Sequence, residues 1–182
     1  MFSQPPKFLA MALMAWAMAI NPVMALPDDN QQPIHISADQ AVRNEKKGIT
    51  IYKGNVEMAQ GSLHITADKI TIYRIVDEAD KIVAKGKPAQ LRQQPDPQKG
   101  LVHARAGMIE YYKAEARVQL SHDAEIEQDG SRVTGETIEY YIDKQLVKAL
   151  SNSTQDDSRV KVVIPAQNLQ KSEDNSGTTA SE

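Results

Sequence analysis

Ile34-His35-Ile36-Ser37-Ala38-Asp39 returns as Leu63-His64-Ile65-Thr66-Ala67-Asp68, twenty-nine residues further on. Weaker copies follow at Val102-His103-Ala104-Arg105-Ala106 and Arg132-Val133-Thr134-Gly135-Glu136. A second apolar group comes after each copy: Ala41, then Ile70 and Ile72, then Ile109 and Tyr111, then Ile138 and Tyr140. An apolar/polar unit recurring at about thirty to forty residues is one supersecondary motif stacked on itself. Stacked β units make a long continuous apolar face, which suits an extended ligand better than a point-like catalytic centre.

The alternation changes phase inside each copy. Ile65 and Ala67 share one strand face, whereas Ile70 and Ile72 have the opposite parity. The same switch separates Ile34, Ile36 and Ala38 from Ala41, Ala104 and Ala106 from Ile109 and Tyr111, and Val133 and Gly135 from Ile138 and Tyr140. A phase change in the same place four times predicts a bulge or corner there. A sheet bent at every repeat folds over into a roll with one apolar inside.

The rest of the chain between Gln32 and Pro165 agrees. Short β-branched runs, such as those at residues 48–52, 54–58, 69–73, 81–83, 117–120 and 159–164, are separated by polar turns every eight to twelve residues. Asn44 to Gly48, Gln60-Gly61-Ser62, Asp129-Gly130-Ser131 and Asp143-Lys144 supply the turn chemistry. The pattern predicts an all-β architecture, with a flexible loop at residues 93–100 and a helix candidate at residues 110–117.

Charge and the chain ends bound the function. Lys7 is the only charge before residue 28, and the apolar run from Phe8 to Ile20 is too short to span a bilayer. Asn21-Pro22 breaks the run, and Val23-Met24-Ala25 precedes a predicted cut between Ala25 and Leu26. The reading is therefore a signal peptide over residues 1–25, one domain over 26–170 and a disordered polar tail over 171–182. No second apolar stretch reaches spanning length, so the mature chain is read as soluble and exported, most simply to a bacterial periplasm. Its 20 basic and 24 acidic residues give a net charge of −4 and offer nucleic acid no basic face. Without cysteine, neither a disulfide nor a thiolate metal site is available.

Catalytic chemistry finds little support. His35, His64 and His103 occupy equivalent places in the repeats and alternate with apolar neighbours, so they point outward along a stack and do not converge on a metal. Asp39 and Asp68 sit at the phase switch, where Asp commonly bonds turn amides. No nucleophile elbow, zincin helix or phosphate-cradling glycine loop occurs. The reading is a non-enzyme with no cofactor and no metal. Of the two Tyr pairs, Tyr111 and Tyr140 face inward, while Tyr112 and Tyr141 lie outside, where they could stack on sugars.

With signal, repeats and roll in hand, the chain resembles the OstA-like family of periplasmic lipopolysaccharide-transport bridge proteins. Residues 32–36 followed by Ala38-Asp39-Gln40 resemble the family's opening strand. Gly54-Asn55-Val56, Ile65-Thr66-Ala67-Asp68-Lys69, Gly86-Lys87-Pro88-Ala89 and Arg159-Val160-Lys161-Val162 to Ile164-Pro165 resemble later strands. The chain has His122-Asp123 where the family has Gly-Asn, which predicts a different turn in the third copy. It has Gln90-Leu91 where the family often has an aromatic, which leaves a smaller apolar contact.

The resemblance implies an open, twisted antiparallel β-jellyroll, or β-taco, whose interior holds the acyl chains of lipid A. Positions matching Ile34, Ile36, Leu91 and Tyr111 approach the lipid in the family. Adding the repeat positions gives Ile51, Val56, Ile65, Ile70, Ile72, Ile109, Leu120, Ile138 and Tyr140 as further lipid-binding candidates. Met58, Val83, Val118, Ile126, Val133 and Leu146 are added for the core. The resemblance also implies head-to-tail self-association and contact with an inner-membrane LptC-like and an outer-membrane LptD-like component. The edge strands expected to pair are Ile34, His35 and Ile36 at one end and Val160, Val162 and Ile164 at the other. Two alternatives stay open here: a β-repeat interaction module without lipid cargo, and a glycan-binding protein using Tyr112 and Tyr141.

Overall fold

The computed structural model describes residues 29–75, 78–151 and 159–166. The predicted signal, its cut at Ala25 and Leu26, and the tail lie outside the described residues. Ten strands occur among the described residues: β1 (His35–Ser37), β2 (Gln40–Asn44), β3 (Ile49–Gln60), β4 (Leu63–Ile75), β5 (Glu78–Gln93), β6 (Val102–Tyr112), β7 (Arg117–Gln128), β8 (Ser131–Tyr141), β9 (Leu146–Leu150) and β10 (Lys161–Val163). They form one antiparallel sheet in the order β1-β3-β4-β5-β6-β7-β8-β10, with β2 also beside β3 and β9 also beside β8. The fold is the expected open β-jellyroll.

A line of register breaks folds this sheet in two. Pairing skips between Lys53 and Val56, Thr66 and Lys69, Lys85 and Ala89, Arg105 and Met108, and Ser121 and Ala124. Each long strand, β3 to β8, crosses that line and contributes half of itself to either layer. The first layer is completed by β2 and β9, the second by β1 and β10. Leu63, Ile65, Ile70, Ile109, Leu120 and Ile138, drawn from both layers, are almost wholly buried and belong to one cluster. A sheet face is covered to that extent only when another layer lies over it.

The corners are built in two ways, and the difference sets which residues face inward. In β3 the corner is Gly54 (φ 78°) and Asn55 (φ 44°), and in β7 it is His122 (φ 67°) and Asp123 (φ 56°). Two left-handed residues are inserted in each case, so parity is the same on both sides of the bend. In β4, β6 and β8 the inner parity instead flips across the corner. The His122-Asp123 corner is therefore the same turn as Gly54-Asn55, contrary to the difference expected from its sequence. At the edge corner, Asp39 donates its N–H to the Gly54 carbonyl at 3.0 Å, and its carboxylate accepts from the Asn55 amide at 3.0 Å. Asp39 thus bonds a side chain, not the turn amide expected of it.

One local expectation is corrected. No helix forms over residues 110–117: β6 continues to Tyr112, and one short 3-10 turn, Lys113–Glu115, leads into β7. Tyr111 is buried opposite Val118, and that cross-strand pairing outweighs local helix preference. The connection after Gln93 is a hydrogen-bonded turn. Gln94 donates to the Asp96 and Lys99 carbonyls, and Gly100 N–H to the Asp129 carboxylate at 2.9 Å.

These corners predict opposite effects of two substitutions. A left-handed non-glycine residue costs about 1–2 kcal/mol, so His122→Gly is expected to raise Tm by about 2–8 °C. Gly54→Ala is expected to lower stability by about 1–3 kcal/mol, because its Cβ would run into the Asp39 carboxylate at a positive φ. Thermal and urea unfolding of both variants measures this.

Candidate functional site

The interior between the layers is graded from corner to mouth. Small residues line the corner: Ala67, Ala84, Ala89, Ala106 and Ala124, the last four fully buried. Large aliphatic rows come next. In the first layer, register aligns Tyr52, Ile70, Ala84, Ile109, Leu120 and Ile138. In the second it aligns Ile36, Met58, Ile65, Leu91, Ala104, Ile126 and Val133. Small side chains at the bend and large ones beyond it give a wedge that widens towards the hairpin tips.

Apart from Tyr52, the polar side chains that face this interior gather at those tips. On the first-layer lip the row is Thr50, Ile72, Ile82, Tyr111, Val118 and Tyr140. The opposite lip carries Gln60 and Leu63, Gln93 and Val102. Gln60 Nε2 donates to the Gln32 carbonyl at 3.0 Å, and Gln93 Nε2 to Asp29 Oδ2 at 3.0 Å. The Asp29 carboxylate also accepts from Ser62 N and Ser62 Oγ, both at 2.6 Å, and so ties the β3–β4 turn to this lip.

Tyr140 is 2% exposed, and its hydroxyl has no hydrogen-bond partner among the described residues. Leaving such a group unsatisfied costs about 1–3 kcal/mol. Burial, helped by the Asp143 charge, pushes the phenol up to about 12. Between the ordinary tyrosine value and about 12, the native chain keeps a proton that the unfolded chain loses. Tyr140 therefore contributes stability that is full below pH 10 and falls as pH rises.

Most of the expected lining residues meet in this interior. Val56, Ile65, Ile70, Ile72, Leu91, Ile109, Tyr111, Leu120, Ile138 and Tyr140 are buried in the one cluster, with Ile34 and Ile36 packed against it. Ile51 is a correction. Register pairs it with Val42 and Thr71, on the face opposite Tyr52 and Ile70. The two-residue corner of β3 preserves phase, so inward parity before the bend belongs to Thr50 and Tyr52. Val83 and Leu146, paired with Glu110 and Tyr141, likewise lie on the outer face. Sequence reasoning missed Thr50, Tyr52, Ile82, Leu63 and Val102. Counting phase through Gly54-Asn55 would have found the first two.

The outer faces are occupied by charge pairing. Tyr73, Lys81, Tyr112, Arg117 and Tyr141 follow one another across neighbouring strands of the first layer. Arg117 lies 4.0 Å and Lys81 4.9 Å from the centre of the Tyr112 ring. Lys81 pairs with Glu110 at 2.5 Å and Arg117 with Glu115 at 2.7 Å. These cations compete directly with any sugar for the Tyr112 face. On the second layer, His35 and Ala59, then His64, Arg92 and His103, form an outward row. Among the described residues no group of three histidines and carboxylates could hold a metal.

Both edges are open. β1 and β2 end the sheet on one side, β9 and β10 on the other. Val162 (55%), Val163 (62%) and Ile164 (52%) are exposed at the second edge, with Leu150 and Val147 beside them. Exposed apolar strand edges of this kind mark sites for pairing with another chain.

A bent antiparallel roll with an apolar interior and two unpaired edges defines the class of protein. Residues 35–146 match the family described as LptA/(LptD N-terminal domain) LPS transport protein. The chain is 34% identical over 173 residues to lipopolysaccharide export system protein LptA of Escherichia coli K12, covering 94% of this chain and 89% of that protein. It is 33% identical to the LptA of Haemophilus influenzae, over 91% of this chain and 94% of that one. The crystal structure of LptH, the LptA-homologous periplasmic component of the lipopolysaccharide transport device of Pseudomonas aeruginosa, aligns with a TM-score of 0.70 at 33% identity, over 76% of this chain and 99% of that one. The chain belongs to the LptA/LptD N-terminal-domain family.

The face assignment is checked by paired truncations. Ile70→Ala is expected to cost about 2–5 kcal/mol as an interior cavity, and Ile51→Ala about 1 kcal/mol or less. Equal losses in urea unfolding would contradict the register reading.

Proposed function

We propose that this chain is a periplasmic lipopolysaccharide carrier, exported by a signal peptide cleaved after Ala25. It holds lipid A acyl chains between its two layers. Copies join edge to edge into a bridge between the inner and outer membranes, with LptC-like and LptD-like partners at its two ends. The observation that carries this is an apolar interior running across β3 to β8, with Ile36 of β1 and Ala149 of β9 packed against it at the two sides. Family membership supports the cargo, because the relatives are named for lipopolysaccharide export.

The energetics fit transport without chemistry. Each methylene removed from water gains about 0.8 kcal/mol, so one twelve-carbon chain is worth on the order of 10 kcal/mol. A multi-chain lipid does not cross an aqueous gap unaided. Similar aliphatic rows on every strand bind a chain about equally at each step, which flattens the path and lets it slide. The interior rows are packed against each other, so loading exchanges side-chain contacts for acyl contacts as the layers part. The alanines at the corner let the layers close on each other, and the wedge opens furthest at the lips, away from the bend.

Strand polarity favours assembly. Each layer has an even number of strands, so its two edge strands run in opposite directions. β10 of one copy can then meet β1 of the next antiparallel, as can β9 and β2. Rows would continue unbroken, with Val162 in line with Ile36. A head-to-tail contact of this kind does not close and builds filaments.

Two measurements test the reading. Residues 26–182 are expected to co-elute with intact lipopolysaccharide and not with its delipidated core oligosaccharide; binding to both would favour glycan recognition. Val162→Pro is expected to shift the species seen in sedimentation towards monomer. Whichever way that N–H faces, β10 loses either its bond to β8 or a donor for the next copy. An unchanged distribution would count against edge pairing.

A further inference from the structure

We infer that the Tyr140 hydroxyl is a hydrogen-bond donor for the carbonyl at the head of a bound acyl chain, fixing where along the wedge an ester or amide group sits. This rests on the acyl-carrier reading above. The motivating observation is a buried hydroxyl without a hydrogen-bond partner among the described residues, at the edge of a mainly aliphatic cluster. Tyr140 is flanked across the strands by Val118 and Val147, neither of which can bond it. A donor held among hydrocarbon groups suits a ligand that is mostly hydrocarbon and carries an isolated acceptor. An acyl ester or amide has that composition.

Position supports the assignment. Tyr140 lies on the lip row, one row further from the corner than Ile138. A chain whose carbonyl sits there can run its tail inward over Ile138 and Leu120 towards the alanines. Its polar head would then lie beyond the lip, towards the β8–β9 turn at Asp143. Burial keeps the phenol protonated throughout the neutral range, so it remains a donor.

The opposite lip offers the complementary atom. Gln93 is buried, and its Nε2 must face Asp29, since a carboxylate only accepts. That orientation is forced, and it leaves Gln93 Oε1 buried without a hydrogen-bond partner among the described residues. A hydroxyl or amide N–H near the chain's head would satisfy it. One lip supplies a donor and the other an acceptor, on strands three apart in the sheet. The fold already bears the desolvation of both atoms, so ligand binding recovers their hydrogen bonds at little further cost.

The test compares wild type and Tyr140→Phe, each as residues 26–182, for methyl dodecanoate and for dodecane, by displacement of N-phenylnaphthylamine. Tyr140→Phe is expected to bind the ester about fivefold to tenfold more weakly, to bind dodecane unchanged, and to keep or raise Tm. In wild type the ester carbonyl stretch should move to lower wavenumber on binding, and this shift should vanish in the variant. Equal weakening for both ligands, no weakening for either, or a lower Tm would overturn the assignment; the last would mean that the hydroxyl has a partner in the folded chain. Failure of wild type to bind either ligand would instead overturn the carrier reading on which it rests.

Discussion

The structure depends on one geometric constraint: a strand that passes round a corner must present apolar side chains to the same interior before and after the bend. Because side chains alternate with period two, the residues spent in the corner decide which parity faces inward afterwards. Here β4, β6 and β8 change parity in their sequence, while β3 and β7 keep it by placing two residues at positive φ. β5 changes parity as well, from Ile82 and Ala84 before the corner to Ala89 and Leu91 after it. The layers stay in register through every corner, and the interior rows run straight from edge to edge. A single corner of the wrong length would turn half a strand inside out and interrupt the rows that a sliding chain needs.

Much of this was legible in the sequence, for a physical reason. Burial on one face leaves a period-two trace, and four phase changes at equivalent points could only mean a repeated corner. What could not be read was the length of each corner. Ile51 reads as an interior residue because isoleucine is apolar and lies in a β-branched run whose phase relative to Val56 is not visible. Gly54-Asn55 preserves phase and turns Thr50 and Tyr52 inward instead. His122-Asp123 shows the same limit from the other side, since left-handed backbone is readable at glycine but not at histidine or aspartate. Gln60 and Gln93 were invisible as lip residues. They read as turn residues, and what secures the second of them is Asp29, which also reaches thirty-three residues along the chain to Ser62.

The outer faces explain why a two-layer roll of this size needs no third layer. Antiparallel sheets tolerate solvent on one side when that side is polar. The first layer goes further, with the Tyr112 ring covered by Arg117 and Lys81, and those cations in turn paired with Glu115 and Glu110. Such cross-strand contacts are worth roughly 0.2–1 kcal/mol each, and they act on the face opposite the proposed lipid path. Stability held on the outside is unaffected when the inside changes contacts.

That division bears on how one set of residues can serve as both core and path. If all the stability lay in the interior, parting the layers to admit a chain would approach unfolding, because the rows to be separated are the rows that hold the fold. In this roll the backbone ladders lie within each layer, the corners are covalent, and the charge pairing lies outside. The interior contacts are the portion that an acyl chain can replace in kind, methylene for methylene. Closure between cargoes also keeps the aliphatic rows from water, which removes the penalty that a permanently open apolar channel would carry. A packed interior is therefore compatible with transport: the same apolar contacts that close the roll are those a passing lipid takes over.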